Sequence, residues 1–226
     1  MSNCTSTTRL LFAKKIGLID ELNSESCAIG FSNPECFKKI GISNLTICHP
    51  EKSVIDKSTE INYSTFVDTD SIKKTQKKRF NKTFVNVSKS RKETFFNIAF
   101  AFYITKFEGS IFISGDNELG IDFFLRRINS HIKLKIFSKS HGRICVFKKS
   151  KTIPSEIKNW KNYGKYRKIN SDFYTLPGCF SEKGIDKGSQ LLAEKFSNNL
   201  YGKVVDLGAG WGYLSAKALK DNKRIK

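Results

Sequence analysis

The chain has 226 residues and a formal net charge of +19, from 40 Lys and Arg against 21 Asp and Glu. This length suits one or two domains, and a hydrophobic content of 39% excludes a disordered chain. The positive excess indicates a polyanionic partner, either nucleic acid or an anionic membrane surface. A genome rich in A and T is the alternative explanation, since it favours Lys codons, but it does not account for the scarcity of acidic residues.

The sequence shows no sign of a membrane span, a signal peptide or a metal site. The longest unbroken apolar run covers residues 98–104, far short of the roughly 18–20 residues that a membrane helix needs. Six cysteines, at positions 4, 27, 36, 48, 145 and 179, form no Cys-x-x-Cys pair and have no histidine at metal-ligand spacing. Scattered thiols of this kind predict a reducing, cytoplasmic location.

Residues 1–150 alternate between predicted strands and helices. Short strands are predicted over 27–31, 45–48 and 84–87, and an apolar, largely buried helix over 94–105. A further strand over 110–114 and an amphipathic helix over 121–128 follow. Two β-patterned runs, 134–137 and 143–147, predict an antiparallel hairpin. Strand–helix alternation that ends in a hairpin indicates a three-layer α/β domain.

Residues 151–170 form a predicted connector in which basic and aromatic side chains alternate. Trp160, Tyr163 and Tyr166 lie among Lys and Arg, a composition that can stack on and neutralise RNA. Trp160 and Tyr163 are also three residues apart, so they share one helical face and can pack between domains. The sequence favours packing over RNA binding for these two residues.

The clearest motif follows a predicted strand over 203–207 and precedes a predicted helix over 213–219. Asp206 stands two residues before the first of three alternating glycines, Gly208, Gly210 and Gly212. Glycines allow a sharp turn and a close approach to a ligand, and the loop leads into a helix N-terminus that favours an anionic group. The pattern departs from the Gly-x-Gly-x-x-Gly dinucleotide fingerprint. It therefore favours S-adenosylmethionine, with a nucleotide site and a coincidental turn as alternatives.

A second motif lies upstream and carries a family resemblance. Leu-Pro-Gly-Cys-Phe-Ser over 176–181 and Ile-Asp-Lys-Gly-Ser-Gln-Leu-Leu over 185–192 precede the glycine loop. In this order and separation they resemble the class I, S-adenosylmethionine-dependent methyltransferases that modify guanine N2 in small-subunit (16S) ribosomal RNA. The resemblance covers about residues 159–219. It implies that Phe180, Asp186, Gly188 and Ser189 help to close the cofactor pocket, although Asp186 or Ser189 can equally cap the helix.

The resemblance also implies an organisation for the whole chain. Members of that family have two tandem Rossmann-like methyltransferase domains, of which the first is degenerate. Residues 1–150 would then be the degenerate copy, because Ser88-Lys89-Ser90-Arg91 stands where an active copy has Asn-Pro-Pro-Phe. Residues 171–226 would be the beginning of the catalytic copy, without its catalytic loop. The chain is thus expected to be a fragment that has no catalytic residues of its own and is inactive alone.

Ribosomal RNA, or the small ribosomal subunit, is the partner that the resemblance and the charge predict for a monomeric chain. The basic residues expected to bind RNA phosphates are Lys73, Lys74, Lys77, Lys78, Arg79, Lys89, Arg91 and Lys92. Two other functions remain open. One is a non-catalytic, RNA-binding methyltransferase-like module, and the other is a methyltransferase with a small-molecule or protein substrate.

Overall fold

The structure is a computed structural model that describes residues 5–67, 80–170, 173–196 and 198–225. It divides into two compact units, Met1–Tyr163 (unit 1) and Gly164–Lys226 (unit 2). The division falls inside the segment 151–170 that the sequence predicts as a connector. Five of the predicted RNA-binding residues lie outside the described residues, namely Lys73, Lys74, Lys77, Lys78 and Arg79.

Unit 1 is built on one seven-stranded sheet, in the order β3-β2-β1-β4-β5-β7-β6. All neighbours pair in parallel except β7, which is antiparallel to both β5 and β6. The predicted hairpin is therefore confirmed, and its two-residue loop has positive φ at Ser140 and His141, as a type I′ turn requires. The strands are β1 (Ser26–Ile29), β2 (Leu45–Cys48), β3 (Ser64–Phe66), β4 (Phe80–Asn86), β5 (Thr105–Asp116), β6 (Lys135–Lys139) and β7 (Gly142–Lys148).

Helices cover both faces of this sheet and enclose two apolar cores. On one face, a ladder of rings runs through Phe31, Phe37, Phe84 and Phe112, with neighbouring centroids 4.7 to 5.2 Å apart. The other core contains Phe102, Trp160 and the helices that follow β4. This arrangement confirms the predicted three-layer, Rossmann-like α/β fold. The helices of unit 1 are α1 (Thr5–Lys15), α2 (Glu35–Lys39), α3 (Lys52–Glu60), α4 (Arg91–Ile104), α5 (Ile121–Asn129) and α6 (Ser155–Trp160).

The long apolar helix α4 begins at a serine N-cap. The Ser90 hydroxyl accepts a hydrogen bond from the Glu93 backbone N–H (3.3 Å), and the Glu93 carboxylate accepts one from the Ser88 hydroxyl (2.7 Å). Farther along α4, the Phe95 ring contacts Trp160 on α6, with centroids 4.5 Å apart. Trp160 is only 3% exposed. Trp160 therefore packs in the core of unit 1, whereas the sequence predicted packing between domains.

Four of the cysteines, at positions 27, 36, 48 and 145, are buried, and none of these four is in a disulfide. Burial raises the pKa of the Cys145 thiol to about 12, so this side chain stays protonated and packs as a small hydrophobe. Within the described ranges, none of the helices combines the length and apolarity that a membrane span requires.

Unit 2 contains two short strand pairs and two helices that pack on each other. Strands β8 (Arg167–Lys168) and β9 (Tyr174–Thr175) are antiparallel, and β10 (Tyr201–Gly202) pairs in parallel with β11 (Arg224–Ile225). The helices are α7 (Lys187–Phe196) and α8 (Tyr213–Asp221).

The predicted strand over 203–207 is wrong, because the ladder in this part of unit 2 stops at Gly202. A strand is held by hydrogen bonds to neighbouring strands, and among the described residues only β11 pairs here, over two residues. The apolar side chains that suggested a buried strand are exposed instead, 77% for Val205 and 90% for Leu207.

Candidate cofactor site

The glycine loop connects β10 to α8 and has an unusual backbone. Gly208, Gly210 and Gly212 all have φ in the left-handed region, at 78°, 59° and 88°. For any residue with a Cβ, this conformation costs roughly 1–2 kcal/mol. No neighbouring atom lies within 4 Å of where a Cβ would stand at Gly208 or Gly212. The glycines are therefore required by the path of the backbone, and space remains open beside two of them.

Asp206 is held in place by the helix that follows the loop. One oxygen of its carboxylate accepts a hydrogen bond from the Ser215 hydroxyl, at 2.6 Å. Ser215 lies in the first turn of α8, where backbone N–H groups have no partner within the helix. Ser215 was not predicted from the sequence as a site residue. Its position nine residues after Asp206 could have indicated the pair, since the intervening glycine loop brings the start of α8 back beside Asp206.

The upstream motif folds as a tight turn followed by a helix cap. Gly178 has φ of 93°, and the Cys179 N–H donates to the Leu176 carbonyl across the turn, as the Pro-Gly pair predicts. The Gly178 N–H in turn donates to the Glu182 carboxylate, at 3.0 Å. Phe180, at the tip of this turn, is 69% exposed.

Asp186 is the cap of α7. Its carboxylate accepts hydrogen bonds from the Ser189 N–H (2.9 Å) and the Ser189 hydroxyl (3.3 Å). A Cβ at Gly188 would lie 3.1 Å from the same carboxylate, so this position favours glycine. The capping interpretation is thus observed for Asp186, while a contact of these residues with a cofactor stays a prediction.

An aromatic cluster joins the upstream segment to the glycine loop. The rings of Phe173, Trp211 and Tyr213 contact one another, with centroids 5.2 to 5.8 Å apart. Trp211 lies inside the loop and Tyr213 begins α8, whereas Phe173 precedes the Leu-Pro-Gly turn. The sequence analysis assigned no role to these three residues. Their contacts hold the two motifs in one unit.

The three described members of the predicted RNA-binding set lie in unit 1, around the first turn of α4. Lys89 and Arg91 are exposed and Lys92 is half-buried. The Arg91 guanidinium lies over the Phe123 ring, 5.0 Å from its centroid. Cation–π contact of this kind orients the guanidinium without neutralising it.

Comparison with known proteins finds similarity to methyltransferases. The Methyltransferase small domain family matches residues 170–226. The ribosomal RNA small subunit methyltransferase C of Buchnera aphidicola (subspecies Acyrthosiphon pisum) is 37% identical over 116 residues, which are 48% of this chain and 32% of the relative. The protein of that name from Enterobacter sp. is 33% identical over 125 residues, 51% of this chain and 34% of the relative.

The predicted family resemblance is confirmed. This chain is similar to the small-subunit ribosomal RNA guanine-N2 methyltransferases, and the matched region spans about a third of the length of these curated relatives. The match to residues 170–226 contains both motifs that carry the resemblance, the Leu-Pro-Gly turn and the glycine loop.

A solved structure extends the similarity to the fold of most of the chain. The T. thermophilus 16S rRNA N2 methyltransferase, solved in complex with AdoMet and guanosine, aligns with a TM-score of 0.69. The alignment covers 96% of this chain and 61% of the other, at 15% sequence identity. At this identity the comparison bears on the fold, and it confirms a class I methyltransferase fold.

No metal centre accompanies the glycine loop in the part of the chain that the structure describes. Across residues 5–67, 80–170, 173–196 and 198–225, no three His, Cys, Asp or Glu side chains come together as metal ligands would. His131, one of the three histidines, instead pairs with Glu156, and its Nε2 lies 2.7 Å from the carboxylate.

Proposed function

We propose that this chain serves S-adenosylmethionine-dependent methylation of the exocyclic amine of a guanine in small-subunit ribosomal RNA. In this proposal unit 2 carries the cofactor loop, and unit 1 is a non-catalytic copy of the fold that binds RNA. The observation that carries it is the loop of three left-handed glycines between β10 and α8, inside the region that matches the Methyltransferase small domain.

The residues of unit 2 fit the methionine end of this cofactor. Open space beside Gly208 and Gly212 lets the backbone approach a ligand, and the free N–H groups of the first turn of α8 favour a carboxylate. Asp206, which Ser215 orients, offers an acceptor oxygen to an ammonium group. We assign Phe180, Asp186, Gly188 and Ser189 to the rim of the same site. The cofactor would supply an electrophilic methyl group, while these residues would bind and orient it.

Two features support the assignment of unit 1 as a non-catalytic copy. The segment that follows β4 is Ser88-Lys89-Ser90-Arg91, and its two serines form hydrogen bonds with Glu93 in the first turn of α4. No Asn-Pro-Pro-Phe run occurs in the 226 residues. We therefore expect the chain alone to transfer no methyl groups. The engagement of Ser88 and Ser90 with Glu93 also favours the second candidate function, in which the chain does not itself catalyse and serves as an RNA-binding module.

Titration calorimetry on the 226-residue chain tests the cofactor assignment. S-adenosylmethionine should bind weakly, whereas NAD, the ligand of the rival dinucleotide interpretation, should not bind at all. Equal binding of the two ligands would contradict the proposal. Gel-shift assays should also show tighter binding to small-subunit ribosomal RNA than to transfer RNA. A monomeric chain acting in the cytoplasm is the simplest setting for this function, and we include it in the proposal.

A further inference from the structure

A free edge of the unit 1 sheet carries positive charge that the proposed cofactor site does not use. Strand β6 is the last strand in the sheet order, so among the described residues no further strand pairs with its outer N–H and C=O groups. All five of its residues are exposed or half-buried. Helix α1 packs beside it on one face of the sheet, and α5 packs on the other face.

The two segments that form this edge contain no carboxylate. Residues 5–19, which include α1, have no Asp or Glu, and neither do residues 129–143, which include β6. Five lysines from these segments are exposed, namely Lys14, Lys15, Lys133, Lys135 and Lys139.

The nearby carboxylates are already paired with arginines. Asp116 is 2.7 Å from the Arg9 guanidinium, and Asp122 is 3.3 Å from the Arg143 guanidinium. Lysines on an edge strand also prevent unwanted strand pairing, but charge of either sign serves that purpose. The two segments carry lysines and no carboxylate of their own, which points instead to an anionic partner.

Aromatic side chains lie among these lysines. Phe137 points from β6 towards α1, and its ring contacts Phe12 with centroids 6.3 Å apart. The Lys139 ammonium lies 5.8 Å from the centroid of the Phe12 ring. Because side chains alternate along a strand, Lys135 and Lys139 share the Phe137 face. Phosphates bound by these lysines would therefore line up along one side of β6.

The other side of β6 borders a cleft of about 380 Å³, lined by Asp122, Leu125, Arg126, Asn129 and Ile136. This depression is shallow and open to solvent, so it would cover one face of a flat ligand and would not enclose it. Buried Leu125 and half-exposed Ile136 offer apolar surface, and Arg126 and Asn129 lie three residues apart on one face of α5. The rim offers an amide, the Asp122 carboxylate and a guanidinium that also donates to the Asp122 carbonyl (3.3 Å), so an unstacked nucleobase on the apolar floor would find both donors and acceptors.

We propose that this edge, formed by the end of α1, strand β6 and the cleft beside α5, is an RNA-binding surface of unit 1. The lysines on the α1 side hold phosphates, and the cleft on the α5 side receives an unpaired base. This inference rests on the proposed ribosomal RNA substrate. This surface lies along β6 and is separate from Lys89, Arg91 and Lys92, which follow the C-terminal end of β4.

The test compares two triple variants of the 226-residue chain. The edge variant is Lys15→Gln, Lys135→Gln and Lys139→Gln. The matched control is Lys52→Gln, Lys57→Gln and Lys106→Gln, which removes the same charge from exposed lysines. Two of the control residues have described acidic partners, since Lys52 pairs with Asp56 and Lys106 with Glu25.

Fluorescence anisotropy with a labelled RNA hairpin at several salt concentrations gives the slope of log affinity against log salt. The edge variant should lower this slope by about two to three, at ~0.7–0.9 per phosphate contact, and the control should leave it unchanged. Equal slopes for the two variants would overturn the proposal. So would loss of binding to phosphatidylserine vesicles in the edge variant without any change in the RNA slope.

The cleft is tested by Arg126→Gln, with a hairpin that has an unpaired loop and a fully paired duplex as probes. Affinity for the looped RNA should fall several-fold while affinity for the duplex stays the same. Equal losses for the two RNAs would contradict base binding in the cleft. Failure of S-adenosylmethionine to bind the wild-type chain would contradict the proposed function, and it would leave all of these RNA results intact.

Discussion

At the scale of single residues, backbone conformation decides what the glycine loop tolerates. Gly208 has φ of 78° with open space around it, whereas Gly184 has no left-handed φ and equally open space. A side chain at Gly208 is therefore penalised by the backbone, and it also occupies the space that a ligand must approach. A side chain at Gly184 neither strains the backbone nor occupies the space beside the glycine loop.

Replacement of Gly208 by Val should abolish the binding of S-adenosylmethionine that the wild-type chain shows, because backbone and ligand can no longer meet. We expect Gly184→Ala to bind like wild type. Calorimetric titration of the three proteins checks this. Wild-type affinity in Gly208→Val would show that the ligand binds elsewhere.

Arg9 is a buried residue whose role no sequence pattern indicated. It is 1% exposed, and its guanidinium donates to the Ser114 hydroxyl (2.9 Å), the Asp116 carboxylate (2.7 Å) and the Ser140 carbonyl (3.1 Å). These bonds fasten α1 to the end of β5 and to the hairpin loop. The sequence shows only a basic residue in a short amphiphilic stretch.

Arg9→Met should lower the free energy of unfolding by about 2–3 kcal/mol, because it breaks charged hydrogen bonds and leaves buried partners unsatisfied. Arg143→Met is the comparison, since the Arg143–Asp122 pair at 3.3 Å is partly exposed and should contribute under about 1 kcal/mol. Urea denaturation of both variants measures the difference. Equal effects would mean that the Arg9 network adds no stability beyond that of a surface ion pair.

At the scale of elements, a charged cluster links α5 to α6. Glu156 in the first turn of α6 accepts hydrogen bonds from Arg127 and His131. Arg127 lies in the last turn of α5, and His131 follows that helix. The hydrogen bond from His131, followed by that from Arg127, lowers the pKa of the Glu156 carboxyl below its ordinary value of 4.5. The cluster holds α6, and with it Trp160, against the end of α5.

A lowered carboxyl pKa predicts a particular dependence of stability on pH. The stabilisation is fully present above the unfolded-state pKa of about 4.5, and it is lost as the pH falls through the folded-state pKa. Glu156→Gln should thus be less stable than wild type by up to about 1 kcal/mol at neutral pH, and the difference should vanish in acid. Thermal unfolding from neutral to acidic pH measures it. A constant difference at every pH would rule out the ionised carboxylate as its cause.

Elements also differ in how well their sequences predict them. The hairpin β6–β7 and helix α4 were predicted because alternation and a dense apolar pattern mark them locally. The strand over 203–207 was predicted on the same grounds and does not form. Its pattern, Lys-Val-Val-Asp-Leu, is that of a strand, but a strand also requires neighbours, and only Tyr201–Gly202 has one.

At the scale of the whole molecule, the two units differ in how much apolar surface they bury. Unit 1 has two cores, one on each side of its sheet. In the described part of unit 2, Ala193 and Ala218 are the buried apolar residues, and large side chains such as Leu191 (62%) and Leu219 (66%) are exposed. Because apolar burial is the main driving force for folding, unit 2 should open far more readily than unit 1.

Hydrogen–deuterium exchange tests this difference directly. Backbone amides of α7 and α8 should exchange at least about a hundredfold faster than those of β4 and β5, because local opening of unit 2 exposes little new apolar surface. Strand β3, at the opposite edge of the unit 1 sheet from β6, is the internal reference for ordinary fraying. Equal protection of α8 and β4 would contradict the prediction.

The sequence by itself predicted the class of protein, because the motifs that identify it are formed by residues close together in the chain. The glycine loop, the Leu-Pro-Gly turn and the strand–helix alternation each depend on neighbouring residues, and together they predicted the class I methyltransferase fold. What only the tertiary structure decided involves residues far apart in the chain. It brings Arg9 to Asp116, Phe12 to Phe137 and α5 to β6. Such pairings depend on the order of the strands in the sheet and on how the helices pack against it. Neither the hydrophobic periodicity of the sequence nor the spacing of its motifs predicts them.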